Sequence, residues 1–165
     1  RPVPREELPT GNPAVLREAQ AEALHIANTG MITAVDLGDP YDIHPKNKQD
    51  VGKRLAALSL ADTYRKGTYH MPVCTGYKVY DRTLALAFDS PVQANAGEVK
   101  GFVLAGPDGV FYPAKATLQQ NGKSVVLESP QVEIPIAARY NWADCPNGNL
   151  YSPSGVPVGP FRTDK

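Results

Sequence analysis

The hydrophobic pattern changes period once, near residue 69, and that change constrains the fold more than any other feature. Before it, apolar residues recur at helical spacing around one short, mostly apolar run. After it, apolar and polar residues alternate in short segments separated by turn residues, the pattern of antiparallel strands. A chain of 165 residues with 42% hydrophobic content can build a core. With 16 prolines and 14 glycines it is too rich in turns for a helical bundle.

The first part reads helix, strand, loop, helix. Asn12 is placed to cap a helix that starts at Pro13, where a missing N–H costs nothing. Val15, Leu16, Ala19, Ala23, Leu24 and Ile26 trace its expected inward stripe, and Gly30 follows its exit. Residues 31–37 (MITAVDL) have the character of a buried parallel strand. The polar loop GDPYDIHPK follows, and Asn47 caps a second helix with Asp50 in its first turn. Val51, Leu55, Leu58 and either Ala61 or Asp62 form the expected inward face of that helix. This is a piece of an open α/β sheet, and one strand alone has no neighbour to bond. Residues 1–68 are therefore expected to be an incomplete unit.

Residues 69–165 are expected to form an antiparallel β-sandwich with an extended terminal loop. Strands are expected at 77–80, 83–88, 100–104, 110–119, 124–128 and 134–142. Asp81-Arg82, the GPDG run from Gly106, Asn121-Gly122 and Ser129-Pro130 supply the turns. Residues 143–165 read as a Pro/Gly/Asn loop anchored by Tyr151 and Phe161.

Charge narrows the function classes. The 17 basic and 17 acidic side chains cancel, which argues against a nucleic-acid or anionic-membrane surface. No apolar run approaches the ~18 residues of a membrane span. The two cysteines, Cys74 and Cys145, include no CxxC pair and cannot hold a metal by themselves; both a disulfide and two free thiols fit the sequence. The first nine residues lack the apolar core of a signal peptide and read as a charged, proline-rich lead-in.

The loop after residues 31–37 carries the chemistry. Ligands of open α/β sheets bind beyond the carboxyl ends of the strands, and Asp36, Asp39, Asp42 and His44 all fall there. A His beside a carboxylate is the base and orienter of a nucleophilic triad. Pro45 keeps His44 on extended backbone. On spacing alone, a solvated turn remains the commoner explanation of such a pattern. His25 fits a role at the helix end, and His70 has no acidic neighbour in sequence. Tyr140, Trp142 and Tyr151 could stack on a sugar, although packing is the commoner use of Trp142. Arg162 could return to the first half or pair with Asp164.

The segment TGMITAVDLGDPYDIHPKNKQDVGKRLA resembles the end of the catalytic domain of the sialate O-acetylesterase family, serine esterases of SGNH type with a flavodoxin-like sheet. The likeness continues through VKGFVLAGPDGVFYPAKA and ARYNWADCPNGNLYSPSGVPVGPFRTDK. It implies the C-terminal part of that domain (1–68) followed by the β domain (69–165). In that family the DIHP segment supplies the catalytic His, so His44 carries over as general base. An acid three residues before the His would fall on Tyr41; Asp42 is the nearest acidic match, with Asp39 as the alternative.

The resemblance also implies a Ser that this sequence does not offer. Ser59, Ser90, Ser124, Ser129, Ser152 and Ser154 occupy no strand-to-helix turn, and no GxSxG occurs. Two explanations fit, an inactive truncation and one chain of a heterodimer, and the heterodimer is the expected one because a lone strand would fold poorly. A companion N-terminal chain of the same precursor carries the Ser, and the substrate is an O-acetylated sugar. No cofactor or metal is needed, and the location is extracytoplasmic (secreted, periplasmic or lysosomal). The competing expectation is a non-catalytic carbohydrate-binding or assembly module, which would have no use for the DPYDIHP loop.

Overall fold

The computed structural model describes residues 13–42 and 44–164. The expected cap Asn12 and the lead-in at residues 1–9 lie outside the described residues. Helix α1 (Pro13–Ala21) runs into a 3-10 turn (Glu22–His25), and helix α2 (Lys48–Asp62) follows the loop. Asn47 caps α2 as its sequence suggests, its side-chain oxygen accepting from the Asp50 N–H.

The strands form two four-stranded antiparallel sheets and a short ribbon. One sheet has the order β1 (Cys74–Tyr80), β2 (Thr83–Phe88), β7 (Ser124–Glu128), β6 (Lys115–Leu118). The other runs β10 (Phe161–Arg162), β8 (Ala137–Tyr140), β4 (Phe102–Ala105), β5 (Phe111–Pro113). The ribbon pairs β3 (Gln93–Ala94) with β9 (Leu150–Tyr151).

Strict alternation in β2 and β7 sends Leu84, Leu86, Phe88, Val125 and Leu127 to one face. There they meet Phe102, Leu104, Ala138 and Tyr140 of the second sheet in a single buried cluster. Phe161 closes one side, with its ring centroid 5.7 Å from Tyr140 and 6.0 Å from Phe88. β4 and β8 are buried on both faces, which explains their nearly continuous apolar sequence. On the outer face the Arg139 guanidinium lies 4.0 Å from the Phe111 ring centroid and pairs with Asp164.

The terminal loop is stitched to this sandwich by close backbone approach. Gly101 has φ +92°, and a Cβ on it would stand 2.6 Å from the Gly148 Cα. A Cβ on Gly148 would collide with Asn141 Oδ1. That same oxygen accepts the Gly148 N–H, and the Tyr140 hydroxyl accepts the Leu150 N–H.

Several expectations change. Residues 31–37 form no strand, and among the described residues no parallel sheet is present. The physical reason is the one the sequence supplies: an isolated strand has no ladder partner. The run at 110–119 divides into β5 and β6, which lie in different sheets on either side of Ala114. The α1 face is the reverse of the expected one. Its covered residues are Ala14, Arg17, Glu18 and Ala21, while Val15, Leu16 and Ile26 are exposed. In α2 the covered positions include Val51, Arg54, Leu58 and Ala61, and Leu55 is exposed.

Candidate functional site

The loop between residues 36 and 47 is built from Asx turns, and each acid in it has a separate task. Asp39 Oδ1 accepts the Tyr41 N–H at 2.9 Å. The Asp42 N–H donates to the Asp39 carbonyl at 3.4 Å, and the two residues form an isolated antiparallel bridge. Asp42 Oδ1 accepts the His44 N–H at 2.8 Å and stands 3.4 Å from His44 Nδ1. The loop therefore bends enough for a carboxylate two residues before the His to reach its ring. Of the two acids named for His44, the structure brings Asp42 to it, whereas Asp39 is occupied by Tyr41. The 3.4 Å separation is longer than an ordinary N–H···O hydrogen bond, so the carboxylate stands beside the ring without gripping it.

Asp36 turns elsewhere. Its two oxygens receive both Arg54 Nη groups, at 2.7 and 2.6 Å, and Oδ2 also accepts the Tyr151 hydroxyl at 3.0 Å. Burial pushes this carboxyl up, but the hydrogen bonds and charge of Arg54, with the Tyr151 bond, outweigh burial and leave it below its ordinary value. Tyr151 is pushed up to about 12, by burial first and then by its bond to the ionised Asp36. The Tyr69 phenol is likewise raised by burial, and its hydroxyl has no hydrogen-bond partner among the described residues.

The His44 side chain is 81% exposed. Beside its loop an open groove of about 1360 Å³ runs between the helical part and the strands. Tyr41, Asp42, Leu24, Met31, Tyr77 and Phe161 are among its walls. Cys74 and Cys145 also line it, both as free thiols, and burial raises Cys74.

Other candidates resolve differently. His70, without an acidic neighbour in sequence, has Nε2 3.0 Å from Asp89, across the chain. His25 contacts Glu22 at 3.2 Å. Tyr140 and Trp142 are buried and offer no open face to a sugar, and Trp142 packs beneath the Arg162 guanidinium at 5.0 Å. Arg162 returns to the first half and pairs with Glu18. Among the described residues no serine is hydrogen-bonded to His44. Ser90 bonds Asp89, Ser124 and Ser129 bond backbone carbonyls, and Ser152 bonds Ser154. Sequence reasoning missed the Asp36–Arg54–Tyr151 cluster, because its members lie 18 and 115 positions apart.

No family model matches the chain, and no curated protein matches it. It is similar to a solved structure, that of a carbohydrate acetylesterase from Xanthomonas citri. The two share 39% identical residues and a TM-score of 0.86 over 92% of this chain. The match covers 36% of that protein, so this chain spans about a third of its length. The likeness relates the chain to a carbohydrate esterase.

Proposed function

We propose that the chain is the C-terminal part of a carbohydrate O-acetylesterase, of the sialate or a related type, and that it contributes His44 and Asp42 to a Ser-His-Asp triad. The observation that carries this reading is the 39% identity to a carbohydrate acetylesterase over nearly the whole chain. The Asp42–His44 contact in an exposed loop beside a groove supports it. His44 takes the proton of a serine that attacks the acetyl carbonyl, with Asp42 orienting the imidazole. His44 then gives that proton to the sugar oxygen as its bond to the acetyl carbon breaks, which leaves an acetyl-enzyme. Water, deprotonated by His44, attacks the acetyl-enzyme, and acetate leaves as His44 returns the proton to the serine oxygen.

The serine belongs to an N-terminal companion from the same precursor, which completes the sheet of an SGNH-type domain. The reversed face of α1 supports such a partner. Its polar side packs on the β part, leaving Val15 and Leu16 48% and 59% exposed. Covering a side chain of that size contributes about 1.5–3 kcal/mol. Residues 69–165 are then the β domain, and an extracytoplasmic location follows from the family resemblance. The test is to express the longer gene and label the purified protein with a fluorophosphonate. Labelling of an N-terminal segment that co-purifies with this chain, with acetate release from an O-acetylated sugar, is expected. A purified protein that neither labels nor releases acetate rejects the reading.

A further inference from the structure

The loop that carries His44 is braced mainly from within. Among the described residues, the backbone and side-chain hydrogen bonds of residues 37–46 are all to near neighbours in sequence. Among the described residues, its hydrogen-bonded ties to the rest of the fold therefore fall at its two ends. One end is the Asn47 cap of α2, with Asn47 and Asp50 bonded to each other twice. The other is Asp36.

Asp36 joins three distant parts of the chain at one carboxylate. Arg54 of α2 grips it with both Nη groups, and Arg54 Nη1 also donates to the Thr33 carbonyl at 2.8 Å. One guanidinium thereby fixes the chain on both sides of Ala34 and Val35. Tyr151 of β9 binds the same carboxylate from the strand side. Both side chains of the ion pair are largely covered, at 14% and 15% exposure, where a planar two-point contact holds direction as well as distance.

We propose that Asp36 is a positioning residue for His44, through which Arg54 and Tyr151 let the β part set the alignment of the catalytic loop. This rests on the esterase reading above and adds to it a role for the strands. A displacement of about 1 Å at a reacting group can lower turnover by roughly 100-fold, so a tie at the foot of the loop has catalytic consequences.

The test uses the complete protein, with Tyr151→Phe, which removes one oxygen, and Asp36→Asn beside it. Each is made in the wild-type and the His44→Ala background, and kcat and KM are measured on an O-acetylated sugar. The expected result is a fall in kcat of between about threefold and 100-fold with KM nearly unchanged. In the His44→Ala background the same changes should cost nothing further, because their effect passes through His44. The inference is overturned if Tyr151→Phe leaves kcat within about twofold of wild type, or lowers it equally in both backgrounds. Should Asp36→Asn fail to fold, Tyr151→Phe decides alone. Normal turnover in His44→Ala itself would instead reject the esterase reading, and this inference with it.

Discussion

The Glu18 carboxylate of α1 receives two hydrogen bonds from the Arg162 guanidinium of β10, Nε to Oε1 at 3.1 Å and Nη2 to Oε2 at 2.9 Å. Two elements at opposite ends of the chain are thus joined by a planar ion pair, with the guanidinium stacked over Trp142. Arg17 adds a second tie, donating to the Ala143 and Asp144 carbonyls. The polar edge of α1 faces the strands for this reason, and its apolar edge is left open.

A double-mutant cycle on Glu18→Gln and Arg162→Met should therefore give a real coupling. Partly exposed pairs are worth about 0.2–1 kcal/mol, and the two-point geometry favours the upper end. Denaturant unfolding of the complete protein provides the measurement. A coupling of zero would mean that this ion pair contributes nothing to holding α1 on the strands.

Asp36 should shape stability in acid. Its folded-state carboxyl titrates below the ordinary value of about 3.9, so between the two values the unfolded chain binds more protons than the folded one. Stability then rises with pH through that window. The contribution is complete above the unfolded value and is lost as pH falls through the folded one. Asp36→Asn should flatten the acid limb of a plot of melting temperature against pH, and an unchanged limb would show that the Arg54 pair contributes nothing there.

Two positions in the β part test its packing. Leu104 is fully buried between the sheets, so Leu104→Ala should cost about 2–5 kcal/mol. Gly148→Ala should also destabilise, since the new Cβ would overlap Asn141 Oδ1 and the Tyr140 ring. Urea unfolding midpoints report both. A neutral Gly148→Ala would imply that the Asn141 turn shifts freely.

Much of the β part was legible because each strand there buries one face, and the period of two records that directly. β2 and β7 begin and end where alternation and turn residues place them, and the Asn121-Gly122 turn joins β6 to β7. β9 and β10 are two residues each and depend on partners brought by the fold, so they leave no periodic trace. The helical part was legible as helices but not in its orientation. Hydrophobic spacing identifies the apolar side of α1, and it does not reveal that Glu18 and Arg17 will find Arg162 and the Ala143 carbonyl first. The contacts inside the loop are local, Asp39 with Tyr41 and Asp42 with His44, so the sequence already sets these residues side by side. Asp36 stood in the same cluster of acids, and only the long-range partners Arg54 and Tyr151 separate its task from theirs.

Whether His44 is the general base of an acetylesterase is decided by acetate release from the complete protein carrying His44→Ala. An intact fold is expected, with a melting temperature near that of the wild type because the side chain is exposed, and a fall in kcat of roughly 10⁴–10⁶-fold. Acetate release at a near-normal rate by that variant would contradict that role.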